Sequence, residues 1–261
     1  ECSESPACLV GFRVHPPLHT HSGEFVPGYL TKLEYIAVDG GERLQIRSLQ
    51  DTNQYSDPLG EAEAAGISPA SWPLFGIVWA SAQKLAALMQ GWQVGDLRVL
   101  EIGCGLGLAS LVLQRRLCNI TASDCHPLTE AFLAENLLLN ALPAIKYATG
   151  NWGRPNPGLG QFDLIIGSDV LYERNLPGQL AGFIALHAAP CARVLIIDPN
   201  RGNRSPFHRE MAALGFSLSE TPITAPLADG TPYSGRLLDY TRLDTTPAAA
   251  LAGMPAAALR T

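Results

Sequence analysis

The chain has 261 residues, of which 47% are hydrophobic and 16% charged. That balance supplies a sizeable core and excludes a chain disordered throughout, and the length suits one large domain with additions or two small ones. With 18 Lys and Arg against 24 Asp and Glu, the net charge is -6, which argues against a generic electrostatic hold on nucleic acid or an anionic membrane.

Residues 1–28 mix Pro, Gly, Ser and His without an apolar period and read as a loosely ordered leader. The first residue is Glu1 instead of Met, which leaves the true start and any targeting peptide open. No apolar run approaches the roughly 18 residues that a bilayer-spanning helix needs. Cys2 and Cys8 stand near His15, His19 and His21, a soft metal-ligand set by type. Polar leaders often carry such residues unused, and no metal is expected. The remaining cysteines, Cys104, Cys118, Cys125 and Cys191, form no C-x-x-C pair, so free thiols in a reducing, cytoplasmic setting are expected.

Residues 31–49 alternate around Asp39-Gly40-Gly41, which predicts a β-hairpin. The stretch 50–71 is loop-like, and a helix follows from Ala80 to Gln90 with Gly91 as its left-handed stop. From Leu97 strands and helices alternate. Strands are predicted at 97–102, 119–123, 145–149, 162–167 and 193–197, with helices through Leu117, from Pro127 to Leu142 and from Leu176 to Ala188. A helix at 207–214 and strands at 216–220 and 236–242 complete the pattern, and the Ala/Pro-rich stretch 245–261 reads as a frayed tail. The expected fold class is α/β, a Rossmann-like doubly wound sheet of seven strands with an N-terminal β-hairpin extension. The expected division is a leader and hairpin at 1–71, a catalytic domain at 72–244 and the tail.

Between the first strand of this sheet and its helix lies Glu101-Ile102-Gly103-Cys104-Gly105-Leu106-Gly107. Glycines at alternate positions let backbone N–H groups approach a ligand that a side chain would block. A dinucleotide fingerprint needs its last glycine at 108, where Leu108 stands. An acid before the turn repels a pyrophosphate but tolerates a ligand that carries an amine or a sulfonium.

This block resembles motif I of the seven-β-strand methyltransferases that use S-adenosylmethionine. The resemblance implies that Gly103, Gly105 and Gly107 form the cofactor loop, that Glu101 lies beside the methionine amine and that Asp124 accepts from the ribose hydroxyls. It sets Asn151 and Trp152 at the adenine, with Asn151 a departure from the usual Asp. Ser168-Asp169-Val170-Leu171-Tyr172 resembles the D-x-x-Y signature of methyltransferase family 16, which modifies protein lysines. Gly76 to Trp79, Asn136 with Asn140, and Asp198-Pro199-Asn200-Arg201 resemble further blocks of that family or its relatives. Asp169 and Tyr172 are thereby the candidate catalytic residues, and Trp79 and Ser168 are candidate cofactor contacts.

The chemistry suits these residue types. Methyl transfer from a sulfonium needs a neutral nucleophile, whereas a free lysine with a pKa near 10.4 is protonated at neutral pH. A desolvated pocket lowers that pKa, a carboxylate orients the amine, and an aromatic face favours the methylated cation. Other readings stay open for single residues. Asp169 is also suited to capping a turn, Tyr172 and Trp79 to packing, and Asp198 and Arg201 to pairing on one loop. The expected partner is a protein offering a lysine, with no membrane or nucleic-acid role and a monomeric state. A small-molecule or nucleic-acid acceptor, or a cofactor-binding scaffold without turnover, are the alternatives.

Overall fold

In a computed structural model of the protein, the described residues are 28–154, 156, 158–173 and 176–243. The leader with Cys2, Cys8, His15, His19 and His21, and the tail at 245–261, lie outside them. Among the described residues no helix is long and apolar enough to cross a membrane.

The hairpin pairs β1 (Thr31–Ile36) with β2 (Leu44–Leu49) in antiparallel register. The sheet begins with β3 (Val99–Ile102), β4 (Ile120–Asp124), β5 (Lys146–Thr149), β6 (Phe162–Ser168) and β7 (Ala188–Asp198), all parallel. It is completed by β8 (Ser217–Ile223) and β9 (Gly235–Arg242), which pair antiparallel with each other, while β9 pairs antiparallel with β7. The order is β5-β4-β3-β6-β7-β9-β8. The chain leaves β3 toward β4 and β5 and then returns to its other side at β6, so the carboxyl ends of β3 and β6 flank the switch point where ligands bind in open α/β sheets.

Both faces of the sheet are covered, which is why its central strands are almost continuously apolar. Val99, Leu164, Ile166, Leu195 and Ile197 pack on the side of α2 (Ala80–Gly91), α3 (Leu108–Arg115) and α4 (Thr129–Leu139). Leu100, Ile102, Ile165, Val194 and Ile196 pack on the side of α5 (Leu176–His187) and α6 (Arg204–Ala213).

The hairpin is fastened by two asparagines of α4. Asn140 accepts from the Gln45 N–H and donates to the Gln45 carbonyl, and Asn136 does the same one step along at Arg47. Four residues of helix advance about 6 Å and two of strand about 6.7 Å, so side-chain amides at i and i+4 match alternate backbone groups of a strand edge. The two asparagines singled out in the sequence therefore act as a short surrogate strand for β2.

Several boundaries differ from those expected, for identifiable reasons. The helices expected to reach Leu117 and Leu142 stop earlier, because Leu117 and Ala141 take left-handed φ of 58° and 54° without being glycine. β7 starts at Ala188, five residues before the expected strand, by pairing Ala188 with Phe162 across a register irregularity. The guanidinium of Arg242 caps that extension through the carbonyls of Ala188 and Ala189. A one-turn helix α1 (Glu61–Ala64) stands where a loop was expected, and a 3-10 turn at Trp72–Gly76 leads from it toward α2.

Candidate active site

A cavity of about 530 Å³ opens at the carboxyl ends of β3, β4 and β6, a size in the range of small-ligand sites. Gly103, Gly105, Asp124, Asn151, Trp152, Ser168, Asp169, Tyr172 and Trp79 all line it. One cavity thus gathers most of the residues singled out in the sequence from five separate segments.

The glycine turn is held by contacts that leave no room for a side chain. Gly105 has φ 51°, and a Cβ there would sit 2.9 Å from the carbonyl oxygen of Phe75. Gly107, the left-handed N-cap of α3, would drive a Cβ into Leu133. It shapes the loop without lining the cavity.

Glu101 lies on β3, two residues before the first glycine of the turn. It is buried behind the turn, where its Oε2 accepts from the backbone N–H of Ser110 at 2.8 Å and from the Ser110 hydroxyl. It thereby satisfies a donor in the first turn of α3 and is not among the residues lining the cavity. Burial pushes its carboxyl up to about 7, with the Ser110 bonds opposing and Asp124 adding to the rise.

Asp124, the last residue of β4, ties two loops together. Its Oδ2 accepts from the Gly105 N–H and its Oδ1 from the His126 N–H, both at 2.9 Å. Burial raises its pKa while these backbone donors hold it down. A carboxylate oxygen has two lone pairs, so both atoms keep acceptor capacity toward the cavity.

Asn151 accepts from the Gly153 N–H through Oδ1 and donates through Nδ2 to the carbonyl of Ala65. Arg154 reaches the neighbouring carbonyl of Ala64 at 2.9 Å. The segment after α1, with Ala65, Gly66 and Ile67 on the cavity wall, is thus fastened to the loop after β5. An Asp at 151 lacks the donor for Ala65. Trp152 packs its ring against Gly103, and Trp79 satisfies its indole N–H on the carbonyl of Leu74 at 2.8 Å.

At the other end, Asp169 follows β6 with a left-handed φ of 55°. Its N–H donates to the Ile197 carbonyl, and its Oδ1 accepts from Arg201 at 2.8 Å. Arg201 does not pair its side chain with Asp198, as one reading of the sequence had it; only its backbone N–H meets that carboxylate. Tyr172 is half exposed, and its phenol is held above the ordinary range by desolvation and by Cys125 and the surrounding carboxylates.

Sequence reasoning missed the apolar flank. Phe75 stacks on His126 at 3.7 Å and 14°, and both line the cavity with Leu74, Ile77 and Leu106. Burial pushes His126 down to about 3, so its ring is neutral, and its Nδ1 accepts from the Leu128 N–H. Nothing periodic marks these residues, because they sit in a 3-10 turn and a loop.

The site fits S-adenosylmethionine. It offers a glycine turn where a Cβ at Gly103 would press on the cavity-lining Val170 and Trp152, a buried carboxylate on the wall beside it, an indole at its edge and an apolar flank. Among the described residues no group of His, Cys, Asp and Glu is arranged to hold a metal ion.

Known proteins share this architecture. A family model described as lysine methyltransferase matches residues 68–205. Protein N-lysine methyltransferase METTL21A of Xenopus tropicalis is 26% identical over 55% of the chain and 69% of its own length. Electron transfer flavoprotein beta subunit lysine methyltransferase of Rattus norvegicus is 31% identical over 53% of the chain and 55% of its own length. The chain therefore spans only about half of that second relative. Among solved structures, ribosomal protein L11 methylase from Lactobacillus delbrueckii subsp. bulgaricus superposes with a TM-score of 0.51 at 18% identity, covering 64% of the chain and 81% of its own. That likeness is one of fold.

Proposed function

The chain belongs to the lysine methyltransferase family, and on that premise we propose that it methylates a lysine side chain of a protein, with S-adenosylmethionine as the methyl donor. The observation that carries the reading is a single cavity walled at one end by the glycine turn and Asp124 and at the other by Asp169 and Tyr172. The acceptor named for the relatives supports lysine over other nucleophiles.

In this reading Gly103 and Gly105 bring backbone N–H groups to the cofactor, with Gly107 shaping the loop. Asp124 accepts from the ribose hydroxyls, Asn151 and Trp152 hold the adenine, and Ser168 and Trp79 close the cavity around it. Glu101 acts from behind, by fixing the start of α3. When bound, the cofactor would supply an electrophilic methyl group for transfer to the neutral amine of the lysine. The proton lost from nitrogen goes to solvent. Asp169 orients the amine, and Tyr172 offers its ring to the methylated cation. We assign catalysis to residues 72–244, in a monomer acting in the cytoplasm.

The test is incubation of the purified protein with tritiated S-adenosylmethionine and a cell lysate, followed by gel fluorography and mass spectrometry. A discrete band carrying methylated lysine is the expected result. Label confined to nucleic acid or small molecules overturns the acceptor assignment.

A further inference from the structure

A second cavity, of about 550 Å³, lies beside the first and is lined by Trp79, Ala80, Ser81, Asp169, Pro199, Asn200, Arg201 and Gly202. Trp79, Asp169 and Arg201 belong to both cavities. The Asp169–Arg201 ion pair therefore stands in the partition between the cofactor cavity and the outside.

The pair is one-sided. Nε and Nη2 of Arg201 both contact Oδ1 of Asp169 at 2.8 Å, and a carboxylate carries a second oxygen with acceptor capacity of its own. Both partners are fixed through their backbones, Asp169 to the Ile197 carbonyl and Arg201 to the Asp198 carboxylate. The Asp169 side chain is only 11% exposed, whereas that of Arg201 is 41% exposed.

We propose that the acceptor lysine enters through this outer cavity and that Arg201 is a positioning residue that neutralises Asp169, so that the arriving ammonium meets an orienting oxygen without a net negative charge and can lose its proton. The proposal rests on the protein-lysine reading above. An unpaired carboxylate beside the lysine raises the amine pKa and holds it in the form that cannot attack, whereas a cation at the same distance opposes this. Arginine suits the task because it stays charged at every working pH.

The surroundings do not replace that charge. Behind the pair, Asp198 meets Arg204, and Glu220 meets Arg204 and Arg236. Asp124, Glu173 and Cys125 act on Tyr172 together with Asp169, and Tyr233 feels both Asp169 and Asp198. Arg204 and Arg236, the other two cations of this group, pair with Asp198 and Glu220, so among the described residues removing Arg201 leaves Asp169 without a guanidinium partner.

The test compares wild type, Arg201→Gln, Arg201→Lys and Gly202→Trp. The initial rate of tritium transfer to lysine in a fixed lysate protein fraction is followed from pH 6.5 to 9.5 at saturating S-adenosylmethionine, with cofactor affinity measured by calorimetry. Arg201→Gln is expected to shift the profile about one unit alkaline, with roughly tenfold less rate at pH 7 recovering at high pH and no rise in half-saturating acceptor. Arg201→Lys restores most of the profile. A Cβ at Gly202 meets nothing within 4 Å, so a side chain can start there without a clash, and the Trp variant is expected to raise the half-saturating acceptor about tenfold without moving the profile. A Gln profile superimposable on wild type overturns the role of Arg201, as does loss of cofactor binding in that variant, and an unchanged half-saturation in the Trp variant overturns the route. A wild-type enzyme that labels no protein lysine overturns the function proposed above, and this inference with it.

Discussion

The glycine turn closes one end of the cavity with backbone packed on backbone, whereas the Asp169 end is closed by an ion pair between side chains. At the first end Gly105 lies against the carbonyl of Phe75, and Asp124 receives N–H groups from both flanking loops. At the second, Asp169 holds a left-handed φ of 55° that a non-glycine residue pays for in strain, and its partner Arg201 is partly exposed. The first construction suits a ligand that is the same at every turnover. The second suits an acceptor that must enter, change its charge and leave.

If the two ends are separable, one change at each should damage a different observable. Asp169→Ala is expected to remove transfer almost completely, by about 1000-fold or more, while calorimetric cofactor affinity stays within a few-fold. Retained transfer would remove Asp169 from the acceptor end. Gly105→Ala is expected to do the reverse. A left-handed φ costs an alanine about 1 to 2 kcal/mol, and its Cβ also presses on a backbone oxygen that cannot swing away. Cofactor affinity should fall at least about tenfold, with a lower urea midpoint; an unchanged midpoint and affinity would show that the turn is not tight.

This contrast also explains what the sequence disclosed. Strands β3, β6 and the second half of β7 were legible because central strands of a covered sheet are apolar runs, and the glycine turn because only glycine meets its geometry. Asp124 and Asp169 were legible as the residues that end strands. The Asp169–Arg201 bond was not, since it joins residues 32 apart through a chain reversal that no local pattern encodes. Glu101 was identified by type, but its bonds to Ser110 were not legible, because the strand period does not say which helix its carboxylate will meet. The segment at 61–67 and the Phe75–His126 stack left no period at all.

Glu101 sharpens the comparison through pH. Its folded pKa of about 7 lies above the ordinary 4.5, so the folded state binds the proton more tightly than the unfolded one. The stability this gives is complete below about pH 4.5 and is lost as pH rises toward 7. Glu101→Gln keeps an acceptor for Ser110 without the buried charge. The variant should gain on wild type across that window by up to about 3 kcal/mol, read from urea midpoints at pH 4.5, 6 and 8. A difference independent of pH would mean that the carboxylate is already charged at low pH.

The smallest effect is expected where the two constructions meet, at Asn151. Asn151→Asp keeps the oxygen that accepts from Gly153 but replaces the Nδ2 donor, 3.4 Å from the Ala65 carbonyl, with a second oxygen. Two acceptors then face each other, and only the Arg154 contact to Ala64 still fastens the segment that walls the cavity. Because the lost bond is long and half exposed, the expected cost is about 0.5 to 1 kcal/mol, a two- to fivefold weaker cofactor affinity. Hydrogen exchange at Gly66 and Ile67, whose N–H groups bond within α1 and its turn, should quicken in parallel. If affinity falls while that exchange stays slow, Asn151 acts on the cofactor directly; if exchange quickens while affinity holds, the segment is a wall that the cofactor does not need.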